Sequence, residues 1–89
     1  MNRMTVKRIL KEIEARIALL EKRRSVLENR LLDFRSSKPY RGMTDRELND
    51  LPRASRFWIE HDRKANQIAA INREIYKLRD MLYGYRQCD

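Results

Sequence analysis

Apolar residues in the first third of the chain recur in alternating steps of four and three. This is the spacing of a helix that buries one stripe against another helix. The stripe runs from Val6 to Phe34 and is interrupted only by Arg24. Thr5 suits the N-cap, and the Ser-Ser-Lys-Pro segment after the last apolar residue would stop the helix. The pattern predicts a helix over about 5–35.

A second stripe with the same spacing occupies the last third, from Phe57 to Tyr85, and is most apolar between Ile68 and Leu82. Pro52 suits the first turn of a helix, because that position needs no backbone N–H. Gly84 resembles a C-terminal stop signal. We therefore predict a second helix over about 53–84.

The connection, about 36–52, is too long for a tight turn and too polar for a third core helix. Thr44 and Glu47 have the spacing of a capping box, which predicts a short helix there. The expected fold is all-α, an antiparallel, coiled-coil-like two-helix hairpin with a short helix in its connection, forming a single domain over 1–89.

Charged residues beside the two stripes favour the antiparallel direction. If Phe34 meets Phe57 and Leu10 meets Leu82, the flanking residues match without a like-charge contact. The expected pairs are Arg30 with Glu60, Arg23 with Gln67, Arg16 with Glu74, and Glu14 with Arg79. A parallel homodimer of the first helix is also complementary. The hairpin is favoured because the connection keeps its two helices at high effective concentration.

Composition argues for a binding protein rather than an enzyme. Of 89 residues, 21 are Lys or Arg and 13 are Asp or Glu, so the formal net charge is +8. One His and one Cys, His61 and Cys88, provide no catalytic or metal-binding constellation. We expect no enzyme activity, no cofactor, no metal, no membrane span and a cytoplasmic location.

A two-helix hairpin leaves other apolar residues uncovered. Leu19 and Val26 repeat at heptad spacing on the first helix, and Tyr76 and Tyr83 do so on the second. Hairpins of this size rarely bury enough surface to stand alone. We expect these stripes to be covered by a partner protein or by dimerisation into a four-helix bundle. The alternative is that they are ordinary surface residues.

The hairpin tip is the densest basic region. Residues 35–56 hold six basic and three acidic groups, and aromatic residues follow directly. Such a mixture suits phosphates and bases, or an acidic protein surface. The candidate binding residues of the tip are Arg35, Lys38, Tyr40, Arg41, Arg46, Arg53, Arg56 and Trp58.

These features predict a small adaptor, regulator or inhibitor that docks a basic hairpin onto a larger protein with an acidic or mixed surface. One alternative is a nucleic-acid binder that contacts the DNA or RNA backbone through the tip. Another is a structural homo-oligomer. Short, basic, all-helical chains are also frequent among proteins of phages and mobile elements.

Overall fold

Two long helices form the molecule. A computed structural model describes the backbone of residues 3–87 and the side chains of residues 5–87. Helices α1 (Arg3–Arg35) and α3 (Arg56–Gln87) pack antiparallel, and α2 (Asp45–Asn49) lies in the connection. The rod measures 58 × 18 × 17 Å, so it is one helix pair thick. The prediction of an all-α hairpin with a short connecting helix is confirmed.

The main core is a narrow seam between α1 and α3. Partly buried apolar residues, among them Leu10, Ile71 and Leu78, extend it. Each fully buried aliphatic side chain contributes about 1.5–3 kcal/mol, so this seam supplies most of the stability. Its buried members are Ile13, Ile17, Leu20, Ile75 and Leu82.

The long helices begin at positions that differ from the expected ones. Thr5 is not the N-cap of α1, because the helix already includes Arg3, and Arg and Met are good helix formers that allow the extra residues. Pro52 does not start α3 either. Its carbonyl accepts a hydrogen bond from the N–H of Ser55 (2.8 Å) in a turn, and the carbonyl of Ser55 accepts the first helical bond, from Ile59 (3.1 Å).

Helix α3 continues through Gly84 to Gln87, so the predicted stop at this glycine is wrong. A glycine ends a helix by adopting a left-handed conformation, and Gly84 does not do so. The next turn is held by Tyr85, which packs against the core, and by Arg86, which contacts Glu14.

Flanking charges support the antiparallel direction, with one change of partner. Arg16 Nη2 lies 3.1 Å from Glu74 Oε1, as expected. The predicted Glu14–Arg79 contact is wrong, because Arg79 contacts Glu21 at 2.7 Å and Glu14 contacts Arg86 at 3.0 Å, one heptad further along.

This change follows from the direction of the side chains. Each side chain leans toward the N-terminus of its own helix, so the tips that meet across this flank belong to residues about two turns, or one heptad, apart along the axis. Glu60 does not contact Arg30, because it contacts Arg63 (2.8 Å) and Lys64 (3.4 Å) on its own helix.

The connection begins its short helix with the expected capping box. The Thr44 hydroxyl accepts from the Glu47 backbone N–H (3.2 Å), and the Glu47 carboxylate accepts from the Thr44 N–H (3.4 Å). Gly42, at φ +86°, makes the turn that precedes it. Leu48 of α2 is buried, so the capping box holds a helix that has its own packing contact.

Replacing Thr44 with alanine should destabilise this region by about 1 kcal/mol, because one N–H at the start of α2 loses its acceptor. The fluorescence of Trp58, the only tryptophan, reports on α2 because its indole contacts that helix. The midpoint of urea unfolding followed at Trp58 should fall. The Thr44→Ser variant keeps the hydroxyl and should unfold near the wild-type midpoint; equal losses in both variants would contradict the capping role.

Candidate functional site

An aromatic cluster closes the tip of the hairpin. Phe57, which is 1% exposed, stacks on Phe34 with ring centroids 5.6 Å apart. Tyr40 packs on both, at 5.5 Å from Phe34 and 4.7 Å from Phe57. The contact between Phe34 and Phe57 is the one that the sequence predicted. The cluster fixes where the chain reverses, and it gives Tyr40 a packing role in the connection.

Trp58 joins the connection to α3. Its indole N–H donates to the Leu48 carbonyl at 3.1 Å, and the Arg53 guanidinium lies 4.6 Å from the ring centroid. His61 packs edge-on against the indole at 5.1 Å and has its Nδ1 3.4 Å from an Asp62 carboxylate oxygen. These contacts make Trp58 and His61 part of the tip's packing.

The cations of the tip differ in how far they are neutralised. Arg35 contacts Asp45 at 3.0 Å. The other five have no carboxylate within 4.0 Å among the described residues, and each side chain is exposed. These five unneutralised tip cations are Lys38, Arg41, Arg46, Arg53 and Arg56.

Two cations occupy the seam itself. Arg24 donates to the Asn72 side-chain oxygen at 2.9 Å and lies 3.5 Å from Glu28. Lys64 extends over the Phe34 ring, 5.1 Å from its centroid. Both keep their charge at the edge of the seam, which is how long basic side chains are usually accommodated there. Asn72 is a polar partner that the sequence did not reveal.

The two apolar stripes are exposed. The Leu19 stripe consists of Leu19 and Val26, which are 57% and 46% exposed. The tyrosine stripe consists of Tyr76 and Tyr83, which are 64% and 67% exposed. In each stripe the two residues are one heptad apart and share a helix face. The hairpin therefore presents an apolar row on each long helix.

The stripes border opposite flanks of the seam. Val26 lines a groove between α1 and α3 together with Arg23 and Arg30, on the flank where Arg16 meets Glu74. The tyrosines adjoin Arg79 and Arg86, three residues further along α3 in each case, on the flank where those arginines are neutralised. The two faces consequently differ in charge.

The groove is lined by both apolar and polar residues. We refer to its apolar lining residues, Val26, Leu27, Ala70 and Ile71, as the floor and to its polar ones, Arg23, Arg30 and Gln67, as the rim. In the part of the chain that the structure describes, neither arginine has a carboxylate within 4.0 Å. Sequence reasoning assigned Arg23 to a contact with Gln67; both line the groove, but no hydrogen bond joins them. The groove itself was not predicted.

Residues 3–87 contain neither a candidate metal site nor a candidate membrane span. There is no group of three or more His, Cys, Asp or Glu side chains that could hold a metal ion. No helix of the described chain has an apolar stretch long enough to cross a bilayer. Cys88 lies outside the described residues. The candidate functional surfaces are therefore the groove, the two stripes and the basic tip.

Comparison with known proteins yields no relative. No family model matches the sequence, and the curated proteins and the solved structures give no significant match.

Proposed function

We propose that this protein is a small non-catalytic adaptor or regulator that docks its basic hairpin onto a larger protein. The observation that supports this most is the exposure of Leu19, Val26, Tyr76 and Tyr83, each between 46% and 67%. Exposed apolar residues in two heptad-spaced rows differ from the scattered single residues that ordinary surfaces carry.

The thickness of the molecule explains why these rows need a partner. A globular chain of this length has a radius of gyration of about 12 Å, whereas this one has 18.9 Å. One layer of two helices buries only a single stripe of each. Docking on a larger protein covers a second stripe and adds apolar burial that the hairpin lacks.

The composition of the surface suits such docking. Tyr and Arg are the residue types most often responsible for binding energy at protein interfaces, and here exposed tyrosines lie beside arginines on α3. The excess of positive charge, +8 overall, favours a partner with an acidic or mixed surface and speeds its encounter. Occupying such a surface is sufficient for an adaptor or an inhibitor.

Site-specific photo-crosslinking in the native cell tests this proposal. A benzophenone side chain at position 19 or 83 should form an adduct with a protein larger than the chain itself. The same group at Asn29, which is exposed on α1 outside the stripes, should not. Adducts of equal yield from all three positions, or from none, would contradict docking through these faces.

A second candidate function is nucleic-acid binding through the tip. The observation that favours it is the set of five tip cations without a carboxylate within 4.0 Å among the described residues. Lys and Arg side chains that are exposed and unneutralised are the groups that contact phosphates. The two long helices pack against each other, and phosphate contacts carry no sequence information, so this binding would follow the backbone rather than the base sequence.

If the tip binds phosphates, replacing Lys38, Arg41, Arg46 and Arg53 with glutamine should reduce the salt dependence of binding. Removing one phosphate-binding cation lowers the slope of log K against log salt by about 0.9. Fluorescence anisotropy with a short DNA duplex between about 50 and 200 mM salt measures this slope. A matched variant with glutamine at Lys7, Lys11, Lys22 and Lys77 removes the same charge outside the tip. Equal slopes for the two variants would exclude the tip as the binding surface.

A further inference from the structure

The flank that carries the groove contains an incomplete series of ion pairs. Arg16, Arg23 and Arg30 follow one another at heptad spacing on α1, and Glu74 and Gln67 do so on α3. Arg16 meets Glu74 at 3.1 Å. One heptad along, Arg23 and the neutral Gln67 both line the groove. Arg23 therefore lacks the carboxylate partner that Arg16 has.

Arg30 also lacks a nearby carboxylate, but for a different reason. The carboxylate of Glu60, which the repeat would place near it, is engaged by Arg63 and Lys64 of its own helix at 2.8 and 3.4 Å. Two arginines one heptad apart thus line one groove, and the described residues supply neither with a carboxylate within 4.0 Å. Along a helix axis they are separated by about 10.5 Å.

The apolar residues of the groove come from both long helices. Val26 and Leu27 on one side and Ala70 and Ile71 on the other form an apolar groove between two helices. In helical bundles such a groove is filled by the side chains of a third helix. Ala70 has the smallest side chain in the lining and is exposed, so it allows another backbone to approach closely.

From these features we infer that the groove binds an acidic amphipathic helix of the partner protein. Its apolar face lies on Val26 and Ala70, and two carboxylates one heptad apart contact Arg23 and Arg30. Residues one heptad apart share one face of a helix, so an ordinary α-helix can present both carboxylates to the two arginines. This inference rests on the proposed docking function and names the chemical class of the partner segment.

A second copy of this chain is a poor occupant. Its net charge of +8 opposes self-association, and two of its heptad-spaced carboxylates, Glu14 and Glu21, already contact Arg86 and Arg79. Nucleic acid is also a poor occupant, because four of the seven residues that line the groove, Val26, Leu27, Ala70 and Ile71, have apolar side chains that cannot bind phosphate.

A charge-swap experiment with designed peptides tests the inference. The acidic probe is a helical peptide of about three heptads, with leucine and alanine on one face and glutamate at two positions one heptad apart. The basic probe carries lysine at those two positions. The full chain should bind the acidic probe about tenfold more tightly, since each of two rim ion pairs is worth a few-fold in affinity. The double variant Arg23→Glu, Arg30→Glu should prefer the basic probe.

A matched variant with the same charge change controls for net charge. Lys22→Glu with Arg73→Glu alters two exposed cations that do not line the groove, and it should keep the preference for the acidic probe. Circular dichroism confirms that both double variants stay helical. Failure of the acidic probe to bind at roughly 0.1 mM, or an unchanged preference in the Arg23, Arg30 variant, would overturn the inference.

Two further outcomes identify other occupants. If sedimentation shows that the wild type dimerises and the Arg23, Arg30 variant does not, a second copy fills the groove and the inference is wrong. The inference is also wrong if a DNA duplex displaces the acidic probe from the groove and an unlabelled acidic peptide does not. If position 19 forms adducts but the Arg23, Arg30 variant shows no change of preference, docking stands and only the acidic helix is refuted. If the preference changes but no adducts form, the groove binds acidic helices and docking through the stripes is refuted.

Discussion

Replacing Phe57 with alanine should unfold most of the protein at room temperature. This side chain is 1% exposed and its ring packs on Phe34, Tyr40 and Trp58 at centroid distances of 5.6, 4.7 and 4.9 Å. Removing a buried aromatic ring costs about 3–5 kcal/mol. A small single core seldom provides more than about 3–5 kcal/mol in total. The helical signal in circular dichroism should fall strongly, and the urea midpoint should disappear.

The matched control is Tyr83→Ala, which removes an aromatic side chain of similar size that is 67% exposed on the same helix. Its stability should stay within about 0.5 kcal/mol of the wild type, as for other surface substitutions. If both variants lose stability equally, or if Phe57→Ala stays folded with an unchanged midpoint, the aromatic cluster does not close the hairpin as described.

Truncating Ile75 should have the second largest effect, about 2–5 kcal/mol. It is 1% exposed and belongs to the buried cluster with Leu20 and Leu82. Alanine leaves a cavity that the surrounding packed side chains fill only partially. Thermal unfolding by circular dichroism measures the loss, and the Ile75→Val variant should lie between alanine and the wild type.

Ile59 provides the comparison, since it is the same residue type on the same helix but is 57% exposed. The Ile59→Ala variant should change the free energy of unfolding by less than about 0.5 kcal/mol. A loss at Ile59 as large as that at Ile75 would mean that a different face of α3 is buried, for example in an oligomer.

The fold was predictable because it depends on the heptad spacing of apolar residues, which can be read directly from the sequence. Heptad spacing identified both long helices, and the Phe34 to Phe57 contact defined the turn. The ends of the helices were harder to predict. Pro52 and Gly84 are signals whose effect depends on tertiary contacts, and the packing of Tyr85 carried α3 past the glycine. Similarly, the lean of the side chains, rather than their spacing, determined that Glu14 contacts Arg86.

The surfaces were predictable only in part. Exposure of Leu19, Val26, Tyr76 and Tyr83 followed from their positions outside the seam. The absence of a carboxylate beside Arg30 did not follow, because it depends on which neighbouring cations contact the Glu60 carboxylate, and those are Arg63 and Lys64. Gln67, in place of a third glutamate in the row, was the signal available in the sequence.

Affinity purification of the tagged full chain from its native cell, with and without nuclease, is the strongest test of docking onto a protein. We expect a protein partner to stay bound after nuclease treatment and to be released when Leu19 and Val26 are both replaced by serine. Replacing the exposed Lys22 and Asn29 by serine should leave it bound. The contrary result is a partner that nuclease releases and that no longer binds when Lys38, Arg41, Arg46 and Arg53 are neutralised. It would contradict protein docking and show that the protein binds nucleic acid.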